Sequence, residues 1–533
     1  MAEVRGGRVD LAAAALAMAV LAAWMHPAST RPLTWDEVDY VAAARLGTWA
    51  NLSDRGAMGP LTFARFALAK ARGGDAQAVA TAAGYVEEES LLHLRHWHPP
   101  GGLLLLPPAV AVAGPERGAR LTQLAWVAAL ALLLLGMLRD VAPSRPGVRA
   151  LALVAVLLDP LTRAAVLEAH VHVALAAAFL LPLWAWLRLT RDPLDARRLG
   201  ALSEAGRAGP PTAPLGGRVG AVVFGLALGV LWAVAVVGPL WTGLWLLALL
   251  AHRDARDWLG RDRGATWLLV GVLAALVVLW PGAFTKVGLV QTYALRVYAL
   301  VFQEGREWGS AGGALVGVAL RSPSLIVYVL LGAAALALGL ARGRRDALAV
   351  GGATVAFLVV MIPFAIIDRY LLPLLPLAAL AGAALAGAAQ VRWPVALVGG
   401  VVAACWALAP GFAYPDPAVS AALREEYARV DRLAGGGAEV LAEGGHIFRF
   451  YAGAGAPAIR PVLVDYDGAR LLLRDGVRYD TIAPDRRAWM VLQRRAGAEP
   501  AVFDALAARC RREDGPTHVR FACGGVDGSA FGG

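Results

Sequence analysis

"PLTWDEVDYVAAARLG", Pro32–Gly47, follows the first apolar run of the chain and sets Asp36, Glu37 and Asp39 beside one another. Acids at such a place either cap a helix, where first-turn carboxylates are favoured, or form a reactive cluster at a membrane surface. Capping accounts for one carboxylate better than for two. What else gathers on the same face decides between the readings.

The chain has 533 residues, 58% of them hydrophobic and 17% charged, and a mean hydropathy of +0.57. Its apolar residues are clumped into runs rather than spread at amphipathic spacing, which reads as an α-helical polytopic membrane protein. The net charge of +10 does not point to nucleic acid. The basic residues sit in short connectors, Arg139–Arg149, Arg188–Arg198, His252–Arg263 and Ala341–Asp346, as expected of loops held on the cytoplasmic side.

Expected spans are Leu11–Pro27, Leu121–Leu138, Ala150–Ala164, Val166–Leu187, Val219–Val237, Pro239–Ala251, Ala265–Phe284, Ala314–Ala341, Ala347–Ile367, Tyr370–Gln390 and Trp393–Phe412. The first has the flanks of a signal peptide, but Met25, His26 and Pro27 make a poor cleavage site, so it reads as a retained span. Gly101–Gly114, with Pro107 and Pro108, is about half a standard span and reads as re-entrant or interfacial. The count is about eleven spans plus one partial insertion, or twelve if that segment crosses. This scheme puts the N-terminus inside. It puts the loop 28–100, the turn near Glu168, the loop Thr285–Gly313, the turn at Asp368–Arg369 and the tail outside.

Two domains are expected: a transmembrane domain over residues 1–412, including the outer loop 28–100, and a small extracytoplasmic α/β domain over 413–533. In the outer loop, Gly59–Gly74 reads as a basic amphipathic helix. In the tail, "PAVSAALREEYARVDRLAGG" reads as an amphipathic helix ending at glycine, "RPVLVDY", "YDTIA" and "AWMVLQR" as strands, and "AVFDALAARCRRE" as helical. The three cysteines make no metal motif; Cys405 lies in an apolar run, and Cys510 and Cys523 read equally as a disulfide or as free thiols.

Four polar elements fall on the outer face: Asp36-Glu37 with Asp39 and Tyr40; Arg95, His96 and His98 ahead of Pro99-Pro100; Glu168, His170 and His172 in "VLEAHVHVALAAAF"; and "DRYLLPLLP", Asp368–Pro376. Histidines such as His96 and His98 taken singly read as surface residues. Glu168, His170 and His172 are harder to dismiss, because ionisable groups beside an apolar helix are costly and face a wet cavity or a partner. Glu168 and His172 are four apart and would converge on a helix, so a divalent cation there is the lesser alternative to no metal at all.

Taken in order, "TWDEVDYVAAARLG", "HWHPPGGLLLL", "DPLTRAAVLEAHVHVALAAAFLL" and "DRYLLPLLPLAALAG" resemble a GT-C-fold glycosyltransferase, similar to bacterial protein O-mannosyltransferases and aminoarabinose lipid A transferases. The likeness runs from the first span to about Trp406, with a tail similar to the small outer domain many such enzymes carry. The resemblance implies a donor sugar on a polyprenyl phosphate, an inverting transfer to an acceptor hydroxyl, and Asp36 as general base with Glu37 beside it. It matches His98-Pro99-Pro100 and Arg369-Tyr370 to family motifs. Where the family often has an aspartate this chain has Glu168, His170 and His172, a departure that bears on any metal there.

The chemistry fits that layout. The leaving group is a phosphate, which needs cations more than a proton. Arg95, Arg369, Lys286 and Arg296 are the candidates, Arg369 foremost. The expected enzyme is therefore a multi-pass glycosyltransferase of a bacterial-type plasma membrane, with no required cofactor. Its partners are the bilayer, the lipid-linked donor and an acceptor the sequence does not name. The competing reading is a transporter or flippase using Asp36, Glu168 and His170 as a proton or substrate path.

Overall fold

The structure, a computed structural model, describes residues 2–34, 36–45, 47–49, 60–74, 99–189, 218–234, 238–251, 263–285, 323–361, 371–388, 399–400, 417–453, 456–465, 470–475, 478–483, 486–494 and 501–525. Apolar runs with no water to satisfy their backbone close their hydrogen bonds as helices. The helices are α1 (Ala2–Met25), α2 (Asp36–Arg45), α3 (Pro60–Ala71), α4 (Leu106–Ala113), α5 (Pro115–Val141), α6 (Pro146–Leu158) and α7 (Pro160–Leu167). They continue with α8 (His172–Leu189), α9 (Arg218–Val234), α10 (Gly238–Ala251), α11 (Gly264–Leu279), α12 (Pro323–Arg342), α13 (Arg345–Met361) and α14 (Leu374–Ala388). Within the described residues the expected spans from Leu11–Pro27 to Tyr370–Gln390 fall mainly on helix, but Ala150–Ala164 is broken at Asp159, Val166–Leu187 at 168–171 and Ala265–Phe284 at 280–281; Trp393–Phe412 lies almost wholly outside the described residues, as does Cys405.

By length and composition, three described helices can cross a bilayer, Gly7–Ala28, Pro115–Val141 and Ser324–Arg342, and the pair α6 and α7, bent by 45°, makes a fourth. The bend has a local cause. Pro160 opens α7, and the Asp159 carboxylate accepts the Leu161 N–H at 2.8 Å and the Tyr328 O–H at 2.5 Å. The helices pack closely where side chains vanish: a Cβ on Gly225 of α9 would lie 2.0 Å from the Leu268 carbonyl oxygen of α11. Their shared core runs through Leu21, Leu134, Leu157, Phe179, Trp241 and Leu380.

Gly101–Gly114 is too short to span. It forms a 3-10 turn and the eight-residue α4, then reverses at Gly114, which has a positive φ of 80°, and α4 packs back on the start of α5. A second core joins this segment and α2 to the C-terminal part of the chain: Leu33, Tyr40, Val41, Leu103 and Val171 pack with Tyr427, Val430 and Phe448.

That C-terminal part is an α/β module. It comprises α15 (Pro417–Gly435), β1 (Val440–Glu443), α16 (Gly445–Tyr451), β2 (Ile459–Asp465), β3 (Arg470–Asp475), β4 (Arg478–Thr481), β5 (Trp489–Gln493), α17 (Ala501–Ala507), β6 (Arg511–Asp514) and β7 (His518–Ala522). The strands form one sheet in the order β4-β3-β2-β1-β5-β7-β6, with β1 parallel to β2 and β5 and the other pairs antiparallel. One expectation is corrected. The helix read over "AVFDALAARCRRE" ends at Ala507, and Arg511–Asp514 is an edge strand, because its residues register against Val519–Ala522. Beside that pairing Cys510 and Cys523 are joined in a disulfide.

Inside the module Arg520 and Glu426 pair at 2.5 Å, both almost fully buried, and tie the sheet to α15. Burial and the Arg520 charge push the neighbouring His518 imidazole down to about 4 from its ordinary 6.5. Unfolding therefore takes up a proton between those values, so stability is lost as pH falls from about 6.5 toward about 4. The thermal midpoint of the detergent-solubilised protein is expected to drop through that window, and His518→Gln to flatten the drop.

Candidate active site

Three neighbouring acids on one helix do not point one way. At 3.6 residues per turn Glu37 and Asp39 lie about 160° apart around α2, with Asp36 between them. The structure uses each direction differently.

Glu37 is 1% exposed and turned into the bundle. Its Oε2 accepts the Thr34 N–H at 2.9 Å and the Thr34 hydroxyl at 3.1 Å, the reciprocal bond of a capping box in Thr34-x-x-Glu37. Its Oε1 accepts from Arg120 Nη2 and from the Ala169 N–H, both at 2.9 Å. Arg31 Nη2 lies 3.2 Å from both carboxylate oxygens and donates to the Leu167 carbonyl as well. Burial pushes the Glu37 carboxyl up, but Arg120, Arg31, the Ala169 N–H and His170 outweigh it and hold the group below the ordinary range. It stays ionised. One carboxylate thus joins the segment before α2, α5 and the break after α7.

Asp39, 4% exposed, faces the C-terminal module, with its Oδ1 3.8 Å from His446 Nε2. Asp36 opens α2, half-buried, with its carboxylate at the positive end of the helix dipole. Of the three acids it alone retains substantial exposure.

The residues around position 170 reach the same place. The Glu37–Ala169 bond carries them there, and the Tyr40 ring meets His170 edge-on with centroids 5.4 Å apart. His170 stacks on His172 at 5.1 Å, and Glu168 Oε2 lies 4.0 Å from His170 Nε2. The sequence reading of a helix continuous through Val166–Leu187 is corrected here. Helix α7 stops at Leu167, Glu168 is extended, and α8 restarts at His172, so no helical i, i+4 geometry brings Glu168 to His172. The interruption leaves the Ala169 N–H outside the helical ladder, where Glu37 takes it. Among the described residues no three His, Cys, Asp or Glu side chains gather as a ligand set.

Arg95, His96, His98, Lys286, Arg296, Arg369 and Tyr370 lie outside the described residues; Pro99 and Pro100 are buried at the start of the Gly101 turn. Arg31 and Arg120 join the site in addition to the residues expected from the sequence. The Thr-x-x-Glu spacing announced the capping box, and an arginine at the head of an apolar helix was the sign for Arg120.

Below this end of the bundle an apolar cavity of about 260 Å³ lies between α8, α10 and α13. Phe179, Trp241 and Trp245 line one wall, the small residues Ala349, Gly352 and Ala353 the other, and Arg345 one end. Phe179 is two helical turns past His172, about 10 Å along α8.

Among solved structures the chain resembles ArnT from Cupriavidus metallidurans bound to undecaprenyl phosphate, with a TM-score of 0.52 at 13% identity over 95% of this chain and 97% of that one. The fold is GT-C. ArnT is an aminoarabinose lipid A transferase, and its apo state compares at a TM-score of 0.39 and 14% identity over the same shares. No family model matches the chain, and no curated protein matches its sequence.

Removing one partner of a buried ion pair strands the other. Glu37→Gln is expected to cost about 3 kcal/mol of stability on that ground, read as a lower thermal midpoint of the solubilised protein. Asp36→Asn, at a half-buried helix N-terminus, should lower the midpoint far less than Glu37→Gln.

Proposed function

We propose that this chain is a membrane glycosyltransferase that moves a sugar from a polyprenyl-phosphate carrier to an acceptor hydroxyl, with Asp36 as general base. The observation that carries the reading is the division of labour on α2. Glu37 is bound into the bundle, Asp39 is buried facing the C-terminal module, and Asp36, half-buried at the helix N-terminus, is the acid that keeps solvent exposure. The likeness in fold to ArnT, whose structure holds undecaprenyl phosphate, supports a polyprenyl-phosphate donor.

In the proposed reaction Asp36 takes the proton from the acceptor hydroxyl as its oxygen attacks the anomeric carbon. The bond from that carbon to the phosphate oxygen breaks, the polyprenyl phosphate departs as an anion, and the anomeric centre inverts. Arg95, Lys286, Arg296 and Arg369 are the proposed cations for the departing phosphate, Arg369 first. Glu168, His170 and His172 are proposed to line the sugar side. The cavity deeper in the bundle, apolar and reached from His172 about 10 Å along α8 at Phe179, is proposed to take part of an isoprenoid tail. The Cys510–Cys523 disulfide supports an oxidising, extracytoplasmic compartment for the C-terminal module, with the N-terminus on the cytoplasmic side of a bacterial-type plasma membrane.

The test is transfer from a panel of polyprenyl-phosphate sugars to acceptor-containing membrane extracts. Asp36→Asn should lower turnover by about 10²-fold or more while the protein remains folded; full activity in that variant refutes the base. A Cβ on Gly352, which lines the cavity, would meet nothing within 4 Å, so Gly352→Leu narrows the cavity from an open position. It should raise KM for the donor by roughly tenfold, about 1.4 kcal/mol of binding, and leave kcat unchanged.

A further inference from the structure

"EGGHIFRFY", Glu443–Tyr451, builds a short helix at an unusual approach to the sheet. Gly444 takes a left-handed conformation at φ 68°, and a Cβ on Gly445 would lie 2.6 Å from the Pro461 Cα of β2. The two glycines let α16 leave β1 at once and run across the face of α2.

Three of its side chains reach α2 or the segment that leads into it. His446 Nε2 stands 3.8 Å from Asp39 Oδ1. The Phe450 ring lies 3.8 Å beneath the Arg45 guanidinium, at the far end of α2. The Tyr451 hydroxyl accepts the Leu33 N–H at 2.6 Å and donates to Glu116 Oε1 at 3.1 Å, while its ring stacks on Tyr427 at 4.7 Å. Burial first, and Glu116 next, raise the Tyr451 phenol, so it stays a neutral donor.

Leu33 sits between Arg31 and Thr34, both of which hold Glu37. A ten-residue helix anchored through Glu37 alone can still tilt about that point; contacts at Leu33, Asp39 and Arg45 remove that freedom. Asp39 is one turn from Asp36 on a rigid rod, so what fixes Asp39 fixes the carboxylate proposed as base. A displacement of about 1 Å at a reacting group costs about 10²-fold in rate.

We propose that the C-terminal module is a working part of the transferase, with His446 and Tyr451 as positioning residues that set Asp36 through α2. This rests on the glycosyltransferase reading above. It assigns the module a role in turnover rather than in holding either substrate.

The experiment uses the full-length protein in nanodiscs, with polyprenyl-phosphate sugar as the probe. It compares His446→Ala, His446→Gln, Tyr451→Phe and Asp36→Asn by steady-state kinetics and by hydrogen exchange of the Asp36–Arg45 amides. His446→Ala and Tyr451→Phe should lower kcat by about tenfold to 10²-fold at unchanged donor KM and speed exchange in α2. His446→Gln, which keeps a polar side chain of similar reach facing Asp39, should recover most of both. Asp36→Asn should abolish turnover without speeding exchange, which separates loss of the base from loss of its seat. Normal kcat in His446→Ala and Tyr451→Phe overturns the proposal even if exchange rises. A loss of kcat with unchanged exchange overturns it too, because the residues would then act on substrate directly. If the wild-type protein transfers no sugar, the glycosyltransferase reading fails by itself. Exchange then decides the positioning: faster in both variants upholds it, unchanged in both overturns it.

Discussion

The buried carboxylate of Glu37 is the constraint on which the site depends. A lone ionised carboxylate without water is costly, and this one is stable only because two guanidiniums, a hydroxyl and two backbone N–H groups converge on it. The donors come from three separate stretches of chain, so the carboxylate is satisfied only when all three come together. The segment before α2, the head of α5 and the break after α7 are thereby fixed relative to one another. The site is assembled by solving that one solvation problem.

The interruptions of the bundle follow from the same economy of polar groups. Asp159 and Pro160 end one helix and begin the next, and the Tyr328 hydroxyl closes the account of the Asp159 carboxylate. The break at Glu168–Val171 frees the Ala169 N–H that Glu37 needs, and it brings His170 and His172 to the same end of the molecule. Irregular backbone in an apolar bundle is tolerated where protein satisfies it, and here it is satisfied by residues of the candidate site. The long regular helices, by contrast, pack through glycine contacts such as Gly225 on Leu268 and leave the chemistry to their ends.

Much of this was legible in the sequence. Apolar runs gave away the helices up to Ala388, and the alternation after Pro417 gave away a small α/β unit. The fold type was readable only because four weak motifs stood in order; composition alone would have stopped at a polytopic bundle. The partners of Glu37 were not legible, because Arg120 and Ala169 lie 83 and 132 residues away and periodicity carries no long-range pairing. The helix break at Glu168 was hidden for another reason: "VLEAHVHVAL" has no glycine or proline, and the break is held by tertiary partners, Arg31 donating to the Leu167 carbonyl and Glu37 accepting the Ala169 N–H. The strand at Arg511 failed likewise, since its charges suit a helix surface and only the pairing with β7 makes it an edge strand.

The central claim is that the chain works on a lipid-carried sugar. Native mass spectrometry of the protein released from mild detergent, with polyprenyl-phosphate sugars added, tests it most directly. The account predicts one retained polyprenyl phosphate per chain, with or without its sugar. Retention of bulk phospholipid alone would contradict it and turn the acids of α2 and the histidines beside them toward a transport path.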